Sequence, residues 1–489
     1  MATISSAMSI MTGALDADQQ ALNVVANNVA NANTPGYTQE VPTWQQSESV
    51  QIGGQTDGMG VTETGATSLR DRVLNERLDQ QQQLASASGT RLSSLQTVQA
   101  LFTPDSGTSS STAGDIGSDL TSFFASFSSL EADPTNTSLR ESVLSSAKTL
   151  SADISGAANS LNAQQLSIDQ EASGITSQVN SLTTSIAQLN QQIETTSPNA
   201  DAGTLEDQRQ EDISQLSKLV GINQITTENN GLSITTTSGA LLVAGANNYQ
   251  LSNGMVDGVT HFFVASTATA SGATSDGSSA GGTDITAGLT SGGGELGGYL
   301  TVRDQDIPNV LTSLDQLAYG VSTAINTANN AGTTISTGTV PTPNNIFSTP
   351  PTNVAGAAAA MSVVMTDPSL IAAAGAGDAT GDDSNAVVMA NLGNQAIINS
   401  SETPTNFYST LVATLGSTVS QAQTENTAQS ASVTQLQTQS DALSGVSLDD
   451  EASDMSTMER AYQSASQAFT ILSNIMNSAL NLGESTTVS

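Results

Sequence analysis

The chain has 489 residues, and its 45 acidic side chains outweigh 10 basic ones to give a formal net charge of −35. Nucleic acid is excluded as a partner, because an acidic surface cannot release the counterions of phosphate. Cysteine is absent from the sequence, which excludes disulfides, thiolate chemistry and cysteine-based zinc sites. Hydrophobic residues make up 37% of the chain and recur periodically, so we expect about two to four folded domains rather than disorder.

Residues 1–32 are predicted to form an amphipathic helix with a coiled-coil-like stripe. Apolar side chains recur there at alternating steps of four and three, and Asp18 is the interruption at a seam position. We assign axial self-assembly of the N-terminal helix to this stripe. Its members are Ile4, Met8, Met11, Leu15, Leu22, Val25 and Val29.

Residues 450–482 carry a second stripe of the same kind, with apolar side chains at both seam positions of a heptad. A lone amphipathic helix cannot bury its own stripe, so we expect the terminal helices to pack against each other and against neighbouring subunits. Packing within one chain alone is the alternative. The residues assigned to self-assembly of this helix are Met455, Met458, Tyr462, Phe469, Leu472 and Met476.

Further helices and a β region are predicted between the two ends. Heptad spacing predicts a long helix over 161–193, and a proline-free stretch predicts another over 407–443 that packs beside it. Between 221 and 266 the apolar period shifts towards two. Asn230-Gly231 and Asn253-Gly254 mark the predicted hairpin turns.

Two segments lack the pattern of a regular element. Residues 267–294 are mostly Gly, Ser, Thr and Ala, and they are predicted to form a loop or a loose strand pair. Residues 331–353 contain four prolines, through which a helix cannot continue. We expect residues 331–360 to form a short surface insertion without a core of its own.

Three patterns resemble ligand sites, and each has a simpler structural explanation. Carboxylates at a helix start are favoured by capping and by the helix dipole. The four carboxylates in that position are Asp449, Asp450, Glu451 and Asp454. Gly292, Gly294 and Gly297 match a dinucleotide-binding spacing but lack the preceding apolar strand, and His261 has no recognisable relay or metal partner. We predict no catalytic residue, no cofactor and no metal.

The N-terminal stripe runs into a stop signal, because Pro35 disfavours a helical Thr34 and Gly36 tolerates a positive φ. The run from Ala26 to Thr38, Ala-Asn-Asn-Val-Ala-Asn-Ala-Asn-Thr-Pro-Gly-Tyr-Thr, resembles the signature shared by the rod, hook and hook-associated proteins of the bacterial flagellum. The family turn motif in this sequence consists of Asn28, Asn31, Asn33, Thr34, Pro35, Gly36 and Tyr37.

Further motifs narrow this resemblance. Residues 445–451, Gly-Val-Ser-Leu-Asp-Asp-Glu, and 460–463, Arg-Ala-Tyr-Gln, resemble the carboxyl-terminal signature of the same family. Four internal segments are similar to the hook-associated proteins of the first type. They are 205–209 (Leu-Glu-Asp-Gln-Arg), 219–221 (Leu-Val-Gly), 297–300 (Gly-Gly-Tyr-Leu) and Arg303-Asp304.

The resemblance implies a mainly α fold with a smaller β part. Residues 1–45 and 445–489 are then paired terminal helices of an inner axial domain. Residues 46–330 and 361–444 are a helical bundle with β-hairpins that forms the outer domain. Residues 331–360 stand in place of the larger outer β domain of longer relatives.

The resemblance also implies a function: a structural, non-enzymatic subunit of the ring that connects the flagellar hook to the filament and permits filament assembly. The implied partners are copies of itself, the hook protein, a second junction protein adjoining the filament, and an export chaperone on the C-terminal helix. Neither nucleic acid nor membrane insertion is implied. The implied location is extracellular, after type III export without a cleaved signal peptide.

Other functions remain open at this point. Within the family, another axial subunit, of the hook or the distal rod, is the alternative. From other classes, a hydrolase on a helical stalk needs a nucleophile, a base and a pocket, and a surface adhesin needs a larger exposed module. The sequence shows neither feature.

Overall fold

The structure is a computed structural model, and it describes residues 2–52, 55–102, 115–196, 202–227, 230–265, 282–336, 338 and 340–484. Helices cover 66% of the chain and strands 12%, which confirms the predicted mainly α class with a smaller β part. The α-helices are α1 (Ala2–Asn31), α2 (Arg72–Ala100), α3 (Ile116–Ala132), α4 (Thr137–Thr196), α5 (Thr204–Leu219), α6 (Thr286–Thr290), α7 (Gly294–Thr301), α8 (Ile307–Ala331), α9 (Ala357–Ala360), α10 (Ser384–Asn391), α11 (Pro404–Ser444) and α12 (Leu448–Glu484). The strands are β1 (Glu40–Gln46), β2 (Val50–Ile52), β3 (Gln55–Asp57), β4 (Val61–Ser68), β5 (Ile222–Thr226), β6 (Leu232–Thr236), β7 (Leu241–Ala244), β8 (Asn247–Asn248), β9 (Leu251–Val256), β10 (Val259–Ala265) and β11 (Gly282–Asp284).

The helices at the two chain ends form one pair, as predicted. α1 and α12 pack side by side and run antiparallel, because Asn28 near the end of α1 contacts Glu451 near the start of α12. α1 ends where its stop signal predicts: the Thr34 amide donates to the Asn31 carbonyl at 2.8 Å, and Gly36 has a φ of +77°. The β1–β4 hairpin follows this turn and lies against α1.

The 60-residue α4 runs through the rest of the molecule and contributes to two hydrophobic cores. In the first core it packs against α3, α8 and α9, and residues of α2, α10 and α11 complete the same core. The Phe123 ring lies 5.3 Å from Phe127 and 5.5 Å from Phe347, centroid to centroid. In the second core it packs with α5, α7 and the strands that follow α5. The predicted stripe of α4 is confirmed as its buried face, which includes Leu161, Ile168, Ala172, Ile175, Val179, Ile186, Leu189 and Ile193.

The strands after α5 form small antiparallel sheets, in the orders β5-β6-β7-β8 and β11-β10-β9. Asn230-Gly231 lies in the connection from β5 to β6, as predicted, and Asn230 has a φ of +59°. The second predicted turn is wrong, because Asn253-Gly254 lies inside β9 and pairs with β10. The chain turns instead at Asp257-Gly258, whose φ angles of +50° and +85° suit a two-residue hairpin turn.

Residues 266–281, the larger part of the predicted glycine- and serine-rich loop, lie outside the described residues. The remainder of that segment is more regular than predicted. Residues 282–284 form β11 against β10, and residues 286–290 form α6. Ile285 and Leu289 are buried in the second core, and these two side chains explain why the chain becomes regular here.

α11 packs against α2, and the prediction that it packs beside the α4 stripe is wrong. Its first half buries Tyr408, Leu411 and Leu415 in the first core. Further along, the contact with α2 is polar, and the amide of Gln81 donates to that of Gln429. The apolar stripe of α11 is short, so its second half cannot occupy an apolar groove and pairs through amides instead.

The described part of 331–360 does not form a helix through its prolines and has no core of its own, but it does not lie wholly at the surface as predicted. Ile346 and Phe347 are fully buried in the first core. Asn326 on α8 accepts hydrogen bonds from the backbone amides of both residues at 3.0 Å, and its own amide donates to the Phe347 carbonyl at 3.0 Å. Because this side chain replaces the hydrogen bonds of a regular element, an irregular segment can enter the core.

Candidate assembly site

Asn28 is the centre of a buried hydrogen-bond network where α1, β1 and α12 meet. It is 1% exposed, and both the nitrogen and the oxygen of its side-chain amide form hydrogen bonds. The Nδ2 group donates to the Glu40 carbonyl at 2.8 Å and to Glu451 Oε1 at 2.9 Å. The Oδ1 atom accepts from the Glu40 amide at 3.0 Å and from the Tyr37 hydroxyl at 2.8 Å. One side chain of the turn motif therefore links the chain that leaves α1 to the start of α12.

Glu451 lies at the start of α12, as its capping assignment predicts, but its carboxylate has a further role. It is 1% exposed, and Oε1 accepts from Asn28 and, at 2.8 Å, from Gln39 Nε2. The Gln39 amide donates to the Ser444 carbonyl at 2.9 Å, and the Leu69 amide donates to the Gln39 carbonyl at 2.9 Å. The segment after the turn thus lies between the end of α11 and the strand that leads into α2.

The turn motif itself is exposed at its tip and fixed at its base. Asn33 and Pro35 are exposed, whereas Thr34 Oγ1 donates to Asn31 Oδ1 at 3.2 Å. A Cβ atom at Gly36 would lie 3.1 Å from a carboxylate oxygen of Glu211 on α5, so the glycine permits this approach as well as the positive φ.

An ion-pair cluster holds the turn to α5. Asp207 accepts from the Thr38 amide at 3.1 Å and from its hydroxyl at 2.9 Å. Arg70 pairs with Asp207 and with Glu206 at 2.5 Å each, and Arg72 pairs with Glu206 at 2.9 Å. The Arg70 and Glu206 side chains are 6% and 2% exposed, so this pair is largely shielded from water and from salt. The N-terminal turn motif and the internal 205–209 motif therefore form one contact.

Burial and negative neighbours also act on the tyrosine of the turn motif. The pKa of Tyr37 is raised above its ordinary value, mainly by burial and then by the charges of Glu40, Asp207 and Glu451. The phenol therefore keeps its proton at physiological pH. It remains the donor that the Asn28 oxygen requires.

The predicted self-assembly residues fall into three groups by burial. Val25 is 3% exposed and part of the α1 face that is covered within the chain, whereas Val29 and Tyr462 are 38% exposed. The others are half-buried: Ile4, Met8, Met11, Leu15 and Leu22 on α1, and Met455, Met458, Phe469, Leu472 and Met476 on α12. The most buried face of α1 consists of Ala17, Ala21, Val25 and Asn28, and of these only the two alanines were not predicted as site residues. Its alanines occur at helical spacing but are too small to stand out beside the larger apolar stripe.

The part of the molecule between the two terminal helices, residues 46–444, is called the outer body below. Two arginines of the internal motifs lie inside it. Arg209 donates to Asn190 Oδ1 and to the Asn230 carbonyl, both at 2.8 Å, and burial lowers its pKa to about 10. Arg303 donates to Asp169 at 2.7 Å and to the Thr260 carbonyl at 2.9 Å. These side chains join the helices to the strands of the second core.

The glycines of the internal motifs allow close packing of helices. A Cβ atom at Gly298 would collide with the Ala87 carbonyl of α2, and one at Gly294 would overlap the backbone of Val220. α7 therefore approaches α2 and the end of α5 more closely than residues with side chains permit. This packing accounts for Gly294, one of the three glycines that match a dinucleotide-binding spacing.

Few features of the described ranges suggest ligand chemistry. His261 Nδ1 lies 2.7 Å from Asp284 Oδ2 on the neighbouring strand, at the surface. No group of three or more His, Asp or Glu side chains within those ranges could hold a metal ion. No helix in the same ranges is both long and apolar enough to cross a membrane.

Two family models match the chain. The model described as "Flagellar hook-associated protein FlgK helical domain" matches residues 105–347, and that described as "Flagella basal body rod protein" matches residues 8–38. The second match contains the turn motif from Asn28 to Tyr37. The first contains Arg209, Gly298 and Arg303, whose contacts hold the outer body together.

Individual relatives agree with these models. The chain is 27% identical over 336 residues to flagellar hook-associated protein 1 of Salmonella typhimurium, a match that covers 67% of this chain and 57% of the relative. The chain thus spans somewhat more than half the length of this relative in the match. It is 28% identical to flagellar hook-associated protein 1 of Bacillus subtilis, over 96% of each chain.

A solved structure has the same fold. The flagellar hook junction protein FlgK from Burkholderia pseudomallei superposes with a TM-score of 0.63 at 18% identity, over 74% of this chain and 99% of that chain. The shared fold, the two family models and the relative that matches from end to end all indicate the same family. This chain belongs to the flagellar hook-associated protein 1 (FlgK) family.

Proposed function

We propose that this protein is a structural subunit of the ring that connects the flagellar hook to the filament and permits filament assembly. The observation that carries the proposal is the incomplete burial of the α1–α12 pair. Its seam is half-buried within one chain, and Tyr462 on it is 38% exposed. Apolar surface at heptad spacing on two long helices is stabilised when further helices cover it. Repetition of such a contact about an axis gives a ring.

Each predicted group of residues has its own role in assembly. The half-buried stripes of α1 and α12 mediate axial self-assembly, and Met8, Met455 and Met476 within them adapt to contacts that vary around a ring. The turn motif from Asn28 to Tyr37 sets the angle between the terminal helices and the outer body. Residues 1–45 with 445–489 are then the inner axial domain, and the rest of the chain is the outer domain.

The partners follow from this position in the flagellum. A ring between hook and filament contacts copies of itself, the hook protein on one side and a second junction protein on the other. The exposed apolar side chains of α12, with Ile471 at 60% and Ile475 at 48%, are the surface that an export chaperone covers before assembly. The subunit works outside the cell, after type III export without a cleaved signal peptide, and it has no catalytic role.

The proposal is tested in cells that lack this protein. Phe469→Asp places a carboxylate on the half-buried seam, where an unpaired charge is costly, whereas Thr470→Asp places the same group on the exposed neighbouring position. Filament attachment and swimming are scored for both variants. We expect the unsubstituted chain and Thr470→Asp to restore filaments, and Phe469→Asp to release filament protein into the medium. Filaments of normal length with Phe469→Asp would contradict the proposal.

A further inference from the structure

A polar groove lies where the turn motif meets the outer body, apart from the seam between α1 and α12. It has a volume of about 910 Å³ and is open to solvent. Pockets of this size bind drug-sized ligands. Its walls come from the turn motif, from α2 and α5, and from the end of α11 with the connection to α12. A segment bound in this groove therefore contacts the start of α12 as well as the outer body.

Asp79 on α2 lines this groove and is the most buried charged residue in it. It is 2% exposed. Both of its hydrogen bonds end on one oxygen, because Gln210 and Gln224 each donate to Oδ2 at 2.8 Å. Oδ1 accepts no hydrogen bond from any residue that the structure describes. Since buried polar groups are generally paired, this oxygen is available to a group bound in the groove.

The charges around the groove favour a cation. Of the described residues that line it, Lys218 alone is basic, and four are acidic: Asp79, Glu211, Asp441 and Asp450. No ion pair joins Lys218 to Asp79, and burial raises the pKa of Asp79 to about 7. An unpaired buried carboxylate is unfavourable, so a cation on Oδ1 would stabilise its charged form.

The hydrogen bonds of Asp79 select an ammonium group over a guanidinium group. Arginine binds a carboxylate best as a fork, with two parallel hydrogen bonds to the two oxygens. Here Oδ2 already accepts from two glutamine amides, so only Oδ1 is free. A lysine ammonium is a compact point charge and needs one oxygen only. Its long apolar stem also lets it reach a carboxylate at the floor of a groove.

A second copy of this chain is a poor source of that lysine. The chain has two lysines, Lys148 and Lys218. Lys218 belongs to the groove itself, and Lys148 lies within α4 beside Ala147 and close to Leu150, which the first core buries. A loop or a chain end can carry a lysine to the floor of a groove, whereas a packed helical bundle stops at its rim. The lysine therefore comes from a different protein.

We propose that this groove binds an extended segment of a non-identical flagellar subunit, and that a lysine of the segment pairs with Asp79 Oδ1. Amides and hydroxyls on the walls, among them Gln82, Ser214 and Ser440, offer hydrogen bonds to the backbone of the segment. This inference rests on the proposed function, under which the hook protein and the second junction protein are the neighbours that can supply the segment.

Carbodiimide chemistry tests first whether an ammonium group reaches Asp79. A water-soluble carbodiimide activates a carboxyl group, an amine then forms an amide bond with its carbonyl carbon, and the carbodiimide leaves as the urea. The isolated chain is treated with carbodiimide and methylamine, a small model of the lysine head group. We expect mass spectrometry to find the methylamide of Asp79. Labelling of Asp79 in urea but not in the folded chain would overturn the proposal.

The same chemistry then identifies the bound lysine. Flagella from cells with the unsubstituted chain are treated with carbodiimide alone. We expect a peptide that contains Asp79 joined to a lysine of another protein, and flagella with Asp79→Asn should lack it. Three results would show the proposal to be wrong: no cross-link at Asp79, a link to Lys218 of the same chain, or a link to Lys148 or the amino terminus of a second copy.

Filament attachment in cells that lack this protein gives the functional measurement. Asp79→Asn keeps the size of the side chain but removes its charge, and should lower the number of attached filaments about tenfold, because hydrogen bonds to charged groups are the strong ones. Asp441→Asn, at the exposed rim, is the matched control and should change that number less than about twofold. Equal numbers for the two variants would contradict a binding role of Asp79. If the unsubstituted chain fails to restore filaments, the junction role itself is wrong.

Discussion

The long helix α4 and the terminal helices carry the same heptad pattern but bury it differently. The α4 stripe is covered within the chain, with Leu161 at 0% and Ile168 at 1% exposed, whereas Val29 on α1 and Tyr462 on α12 are both 38% exposed. A heptad pattern therefore predicts which face of a helix will be covered. It does not predict whether the covering residues belong to the same chain or to another one. The outer body completes its cores within one chain, whereas the inner pair leaves part of its apolar surface exposed, and we propose that neighbouring subunits cover it.

The largest expected effect separates these two regions by stability. Phe123→Ala removes a fully buried ring that packs on Phe127 and Phe347, and should lower the free energy of unfolding by about 3–5 kcal/mol. Phe469→Ala, on the half-buried seam, should cost the isolated chain less than about half as much. Urea unfolding followed by circular dichroism measures both values. Equal losses would show that the seam between α1 and α12 is packed as fully within one chain as the cores of the outer body.

The next effect concerns the joint between the regions. Asn28→Ala removes the hydrogen bonds that Asn28 forms with the Glu40 backbone and with the Glu451 carboxylate, at a cost of about 1–3 kcal/mol. We expect the loss to be local, so that hydrogen exchange accelerates in α1 and α12 and stays unchanged in α4. Asn23→Ala, at an exposed position of α1, is the control and should change neither region. A uniform acceleration throughout the chain would contradict a joint at Asn28.

A further effect depends on pH and arises at a buried carboxylate of the outer body. Asp79 is 2% exposed and accepts from Gln210 and Gln224 at 2.8 Å each, and burial raises its pKa to about 7. Between about pH 4 and pH 7 the folded state holds a proton that the unfolded state has released. Stability should therefore fall as pH rises through this window, by up to about 1.4 kcal/mol per pH unit.

Asp79→Asn should reduce the slope of this dependence, because its side chain does not titrate, while Asp119, whose pKa burial raises to about 7, keeps its own contribution. Asp257→Asn, on the exposed turn between β9 and β10, should leave the dependence unchanged. Urea unfolding at a series of pH values measures both slopes. A slope that is unchanged in Asp79→Asn would assign the pH dependence to other groups.

How much of the fold could be predicted differs between the same two regions. The pairing of the terminal helices, the α4 stripe and the stop after α1 were predictable, because each rests on a local pattern of apolar residues or on proline and glycine. The course of 331–360 was not. Ile346 and Phe347 are buried through hydrogen bonds to Asn326, which lies some twenty residues earlier, and nothing local to the segment signals that support.

The candidate site shows the same limit. The turn motif was predictable from its residues, but its partners were not, because Asn28 meets Glu451 from the other end of the chain and Thr38 meets Asp207 on α5. Asp207 lies in a segment that the sequence marks as similar to the family. The sequence gives no pairing between that segment and the turn. Ala17 and Ala21, on the most buried face of α1, were missed because an alanine buries little area.

The central claim is that the inner pair is completed by neighbouring subunits whereas the outer body is complete in one chain. Hydrogen exchange measured by mass spectrometry on the isolated chain and on assembled flagella tests it most directly. The account predicts that amides of α1 and α12 exchange quickly in the isolated chain and at least tenfold more slowly after assembly, while those of α4 are equally protected in both. Equal protection of α1 and α12 before and after assembly would contradict the account.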